Sequence, residues 1–177
     1  MKLFVATDLH GSAYYTQKIV NLFAASGADT LVLLGDVYNH GPRNPFPRDY
    51  APMKVAEMLN AIAGKVIAVQ GNCDSEVDRM ISNFPIVADN ILPFCGRRLY
   101  FTHGHVYNKH NLPAVSAGDV VFYGHFHTNE ICEVQGVTCV NVSSASLPKD
   151  VASYCIVDEH GVAIFDLDGN EILSKSF

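Results

Sequence analysis

Thr30-Leu31-Val32-Leu33-Leu34-Gly35-Asp36 is the stretch whose reading decides the fold. Leu31 to Leu34 is an apolar run without alternation, so a strand here buries both faces, as strands of parallel sheets do. The run stops at a glycine and a carboxylate, which alone would mark only a turn. Repetition gives it weight. Asp8, Asn72, His103, His125 and His127 also close, or follow, apolar β-type runs. Strand ends of an α/β sheet converge on one rim, so these groups can meet with Asp36 at their centre.

Upstream, Lys2 to Thr7 reads as a first strand ending at Asp8-Leu9-His10-Gly11. Ser12 can cap a helix over about 13–25, with Ile19, Val20, Leu22 and Phe23 on its apolar side and Gly27 as its stop. The unit is βαβ, and its parallel strands bring Asp8 and Asp36 to the same rim. Downstream, Tyr38 to Pro52 holds four prolines and no periodicity, the composition of a lid or binding loop. A helix is expected from about Met53 to Ala63, stopping at Gly64, then a strand over 65–69 that delivers Gln70-Gly71-Asn72-Cys73-Asp74. Ser75-Glu76-Val77-Asp78 resembles a capping box for a short helix ending near Asn83.

After Pro85 the pattern changes to strands separated by tight turns, expected near 86–94, 97–102, 119–124, 129–134, 137–142, 152–158, 161–167 and 171–175. Segment 105–118 reads as loop with one helical turn after Pro113. A parallel half followed by a strand-rich half implies one α/β domain spanning 1–177, with two packed mixed sheets flanked by helices.

With 177 residues, 49% hydrophobic and 17% charged, the chain is long enough for one sizeable core. A net charge of −6 argues against a nucleic-acid polymer as partner, since phosphate backbones select basic surfaces. No run reaches membrane-spanning length and no export signal is visible, so a reduced, cytoplasmic chain without membrane contact is expected. The five cysteines are odd in number and lack CxxC spacing. Cys132 and Cys139, facing across a Gln135-Gly136 turn, are expected to stay reduced. The strand-rich C-terminal half is able to offer a homo-oligomer surface.

Five of the eight histidines fall between 103 and 127: His103, His105, His110, His125 and His127. In His125-x-His127, side chains two apart on a strand point the same way, and the same holds for Asp8-x-His10 if the chain stays extended. With Asp36, Asn72 and His103 they supply seven oxygen and nitrogen donors and need no thiolate. That mixture suits first-row divalent ions such as Mn²⁺, Fe²⁺ or Zn²⁺. Seven donors exceed one tetrahedral ion, so two ions sharing a carboxylate fit better, with open positions for water and substrate.

The series Asp8-x-His10, Gly35-Asp36, Gly71-Asn72, His103-Gly104 and Gly124-His125-x-His127 resembles the calcineurin-like binuclear metallophosphoesterase signature, in order and spread along the chain. The small size, Asn72-Cys73-Asp74 and the Asn39–Asn44 loop are most similar to its small prokaryotic phosphodiesterases of the YfcE type. The resemblance implies that Asp8, His10 and His127 hold one metal, that Asn72, His103 and His125 hold the other, and that Asp36 bridges them. It implies two divalent ions per chain, Mn²⁺ first, with Fe, Zn, Ni or Co as alternatives. The expected reaction is hydrolysis of a small phosphodiester by a hydroxide bridging the ions. Asp36, Asn72 and His103 belong to that chemistry, Arg43 would neutralise the phosphoryl oxygens, and Cys73 stands beside the metals.

Two departures matter. Many relatives carry a histidine where this chain has Cys73, and a thiol is a poor substitute as general acid, so good leaving groups should be favoured. Asn141-Val142-Ser143-Ser144-Ala145-Ser146 replaces a run in which relatives carry proline and glycine; Ser144 and Ser146 read as part of a strand-end turn. His40 and His105 are candidate neighbours of the metals or substrate, and His110 and His160 read as surface residues. The competing readings are a non-catalytic metal-binding scaffold of the same fold, and a phosphomonoesterase or protein phosphatase.

Overall fold

A computed structural model describes residues 1–177. Strand β1 (Leu3–Ala6), helix α1 (Ala13–Ser26) and strand β2 (Thr30–Leu33) form the expected βαβ unit, with β1 and β2 parallel. Ser12 caps α1 by accepting the Tyr15 N–H at 3.3 Å, and Gly27 ends it in the left-handed region at φ 68°. Pro52 opens α2 (Pro52–Asn60), where its missing N–H costs nothing. A 3-10 turn (Ala63–Lys65) follows, so Gly64 lies inside that turn and the α-helix stops four residues before it. Strand β3 (Val66–Val69) joins β2 in parallel, and the Ser75–Asp78 capping box starts α3 (Glu76–Ile81).

The run 86–94, expected as one strand, is divided. Its first part is β4 (Ile86–Val87), which closes one edge of the first sheet beside β3. After a bend at Ala88-Asp89 the chain enters the second sheet as β5 (Asn90–Phe94). Ile86 is buried against the helix-side core, whereas Phe94 is buried between the sheets. Both halves are apolar because each lines a core, and hydrophobicity alone does not reveal that the cores differ.

The remaining strands are β6 (Arg97–Phe101), β7 (Val120–Tyr123), β8 (Glu130–Val134), β9 (Val137–Asn141), β10 (Ser153–Asp158), β11 (Gly161–Asp166) and β12 (Glu171–Ser176). Sheet order is β12-β11-β10-β1-β2-β3-β4 in one layer and β5-β6-β7-β9-β8 in the other. Both are mixed. In the second sheet β6, β7 and β9 are parallel to one another, although β6 and β9 each also form a hairpin with the strand before them.

Burial follows the pleat. Leu3 and Val5 of β1, and Val32 and Leu34 at β2, meet Phe101, Phe122 and Val140 between the sheets. Phe4, Ala6, Leu31 and Leu33 face the other way, onto Ile19 and Phe23 of α1 and Val55 and Leu59 of α2. The outer face of the second sheet, around Val121, Tyr123 and Cys139, is covered by Tyr107, Leu112 and Val115 of the 105–118 segment. No helical turn forms after Pro113; instead the Val115 N–H closes on the Pro113 carbonyl at 2.8 Å. Asp119 then gathers the segment, accepting the Ser116 N–H at 2.8 Å and the Arg98 guanidinium at 2.6 Å. Cys132 and Cys139 are paired across β8 and β9 as expected, and all five cysteines are free. No helix is long and apolar enough to cross a membrane.

Candidate metal centre

Three parallel strands of each sheet end on one rim, which carries every expected donor. Asp8 and His10 follow β1, Asp36 follows β2, and Asn72 follows β3. From the second sheet, His103 follows β6, and His125 and His127 follow β7.

The two i, i+2 pairs do not work as a strand would make them. Asp8, His10, Asp36, His125 and His127 all have positive φ, between 47° and 67°. Left-handed backbone is uncommon outside glycine and is sustained only where surrounding structure fixes it. His125 and His127 therefore aim into two adjoining clusters rather than to one side. His127 Nε2 lies 3.2 Å from Asp8 Oδ1, and His10 Nε2 lies 3.4 Å from that same oxygen. His125 Nδ1 instead lies 3.2 Å from His103 Nε2, which is 3.0 Å from Asn72 Oδ1. Asp36 stands between, with Oδ2 at 3.4 Å from His103 Nε2 and 3.9 Å from His10 Nε2.

Ring orientation is set from behind. His10, His103 and His127 each place Nδ1 on a main-chain carbonyl, of Asn39 at 2.8 Å, Leu34 at 2.8 Å and Leu147 at 2.6 Å. A carbonyl only accepts, so each Nδ1 carries a proton and Nε2 is the atom each ring turns inward, able to offer a lone pair to a metal once it is deprotonated. His10 and His127 then aim Nε2 atoms at one another across 3.4 Å. Asp8 Oδ1, fully buried among them, has no hydrogen-bond partner. An orphan carboxylate oxygen beside converging lone pairs is costly unless a cation lies among them, so this donor set fits divalent metal.

In the metal-free protein a second proton on His103 takes the cation's place. Burial pushes the Asp8 carboxyl up, but contacts with His10 and His127 outweigh it and hold it well below the usual carboxylate range. His103 resists burial through Asp36 and is raised to about 9, while burial and the neighbouring His103 pull His125 down to about 4. In the metal-free protein burial, and then Asp36, push the Cys73 thiol up to about 12.

Sequence reasoning missed Asp74. Its buried Oδ2 accepts the Asp36 N–H at 2.8 Å and the Gly71 N–H at 2.7 Å, and Oδ1 accepts the Val37 N–H at 2.8 Å. One carboxylate thus ties the Asp36 turn to the Asn72 turn. Gly71 has the opposite role of leaving space, because a Cβ there would collide with the Asp36 carboxylate. Ser144 and Ser146 are buried and donate to the Asp8 carbonyl at 2.8 and 3.0 Å, so the strand-end turn positions a candidate metal donor.

Above the donors opens a cleft of about 670 Å³, walled by Asn39, Gly41–Asn44, Asn72, Cys73, Phe126 and Lys149, with Arg43 exposed on it. Lys149 was not anticipated either. His40 does not join the cluster but stacks on Phe46, ring centres 4.3 Å apart, and stiffens the loop. His105 lies beside the centre, 5.4 Å from His103 between ring centres, and is exposed. His110 and His160 are on the surface as expected.

Residues 1–161 match the calcineurin-like phosphoesterase superfamily domain. The chain belongs to that family, and is accordingly a phosphoric ester hydrolase. It is 48% identical to phosphodiesterase YfcE of Escherichia coli K12, over 99% of this chain and 97% of that one. The structure of the E. coli YfcE phosphoesterase superimposes with a TM-score of 0.96 at 46% identity, covering 99% of each chain. Phosphodiesterase MJ0936 of Methanocaldococcus jannaschii is 27% identical over 80% of this chain and 82% of its own.

Proposed function

We propose that this protein is a metal-dependent phosphodiesterase acting on small phosphodiesters. The observation that carries the reading is the buried, unpartnered Asp8 Oδ1 facing the inward lone pairs of His10 and His127, beside a second donor cluster reached through Asp36. Asp8, His10 and His127 would hold one ion, Asn72, His103 and His125 the other, with Asp36 shared. Only oxygen and nitrogen donors are required, which suits Mn²⁺. When bound, two such ions supply a hydroxide nucleophile at neutral pH and neutralise charge on the phosphoryl oxygens.

The chain's own residues do the rest. Asp74, Ser144 and Ser146 hold Asp36 and Asp8 where both ions can be met. Arg43, exposed on the cleft, would donate to a phosphoryl oxygen. Cys73, half-buried, carries a thiol that is no efficient acid for a poor leaving group, so activated esters should turn over best. The relatives named above are phosphodiesterases, which favours diester over monoester.

The test is to strip the protein with chelator, reload it with Mn²⁺, and assay bis(p-nitrophenyl) phosphate beside p-nitrophenyl phosphate. Metal-dependent diester hydrolysis that Asp36→Asn abolishes supports the reading. A clear preference for the monoester would reassign the substrate, and activity untouched by chelator would end the metal assignment.

A further inference from the structure

The chain has twelve lysines and arginines. Eight have side chains engaged with carboxylates, other oxygens or aromatic rings. Of the four left without such a partner, Arg43 and Lys149 both line the cleft above the donor cluster, and the only carboxylate on its lining is Asp36. In a protein of net charge −6, a wall with two free cations and a single carboxylate is the reverse of the bulk surface.

Lys149 is also held in place. Its main-chain N–H donates to the His127 carbonyl at 2.8 Å. The next residue, Asp150, is turned away: it accepts the Asn129 N–H at 2.7 Å and the Ser143 hydroxyl at 2.9 Å. The nearest carboxylate in sequence is thus spent on fixing the segment, and Lys149 lines the cleft with no carboxylate of its own.

Charge accounting shows what it is for, given the phosphodiesterase reading. Two divalent ions would be balanced by the Asp8, Asp36 and Asp74 carboxylates and one hydroxide, which leaves a phosphodiester's single negative charge to Arg43. Lys149 has no charge to meet on a simple diester. We propose that Lys149 binds a second anionic group on the substrate, so that the preferred substrates are phosphodiesters with a phosphate or carboxylate on one ester arm.

The test compares p-nitrophenyl propyl phosphate with the same ester carrying a phosphate on the end of its propyl arm. Binding of the matching non-hydrolysable propyl methylphosphonates to Mn²⁺-loaded protein is followed by calorimetry in parallel. The terminal phosphate should raise kcat/KM about tenfold, through KM, and tighten binding of the analogue equally, the equivalent of about 1.4 kcal/mol. The gain should vanish in Lys149→Ala, survive in Lys149→Arg, and shrink as salt is raised. A wild-type protein indifferent to the terminal phosphate, or a gain that persists in Lys149→Ala, overturns the proposal. Failure of the phosphodiesterase reading is separable: turnover of both esters would be absent, while the calorimetric pair would still show whether Lys149 holds the second anion.

Discussion

Removing the Asp74 carboxylate should damage both stability and metal binding, and the amounts follow from its three hydrogen bonds. It accepts the N–H groups of Asp36, Gly71 and Val37, all buried. A hydrogen bond to a charged group is worth about 1.5–3 kcal/mol, so the gross loss in Asp74→Ala is about 5–9 kcal/mol. Part of that is returned. Burial, and the Asp36 carboxylate beyond it, raise the Asp74 carboxyl, so holding it ionised already costs the fold something. The expected net loss is about 3–5 kcal/mol for Asp74→Ala. Asp74→Asn keeps an oxygen for Asp36 and Gly71 but turns an amide NH₂ on the Val37 N–H, for a loss of about 1–3 kcal/mol. Because Asp36 is held at φ 51° by this contact, Mn²⁺ affinity in Asp74→Asn should fall about 10–100-fold. Urea unfolding of the metal-free protein and calorimetric Mn²⁺ titration would measure both. Unchanged unfolding midpoints and metal affinity in Asp74→Ala would refute the reasoning, since they would mean the three N–H groups find other partners at no cost.

Three further outcomes follow from the same geometry. Gly71→Ala places a methyl against the Asp36 carboxylate, so diester hydrolysis should fall at least about tenfold while far-UV circular dichroism stays native; wild-type turnover would show that the turn can yield. Ser144→Ala removes the hydroxyl that donates to Asp8 and accepts the Leu147 N–H at 2.8 Å, and should cost about 1–2 kcal/mol in denaturant unfolding, with no change counting against the assigned role. In metal-free protein the His103 imidazole, raised to about 9, contributes stability that is fully present below its ordinary 6.5 and is lost as pH rises through about 9. His125, pulled to about 4, behaves oppositely, its contribution being lost as pH falls from 6.5 toward 4. Loading Mn²⁺ near pH 7.5 must therefore expel a proton from His103, visible as a dependence of calorimetric heat on buffer ionisation; equal heats in all buffers would contradict the raised His103.

The donors were legible because each sits where an apolar run stops. Thr30–Asp36 shows both the doubly buried strand and the carboxylate after it, and the βαβ unit follows from the helix pattern and caps around Ser12 and Gly27. Three features were hidden. The parallel course of β6, β7 and β9 depends on long connections that return across the sheet, while local turn residues such as Gln135-Gly136 report only the nearest hairpin. The left-handed backbone at Asp8, His10, Asp36, His125 and His127 is imposed by surrounding contacts; Asp and His are enriched there, but too weakly to announce it from sequence. Asp74 and Lys149 look like ordinary loop residues. For Asp74 the signal was a carboxylate three positions after Gly71, a spacing that lets it close the turn, whereas nothing in the sequence around Lys149 distinguishes it.

The central claim is that two ions share Asp36, and Mn²⁺ titration of the metal-free protein, followed by calorimetry and electron paramagnetic resonance, tests it most directly. The account predicts two ions per chain with a spin-coupled signal, diester hydrolysis that rises only as the second ion binds, and loss of the coupling in Asp36→Asn. Full activity with one ion per chain, or two uncoupled ions that Asp36→Asn leaves unchanged, would contradict it.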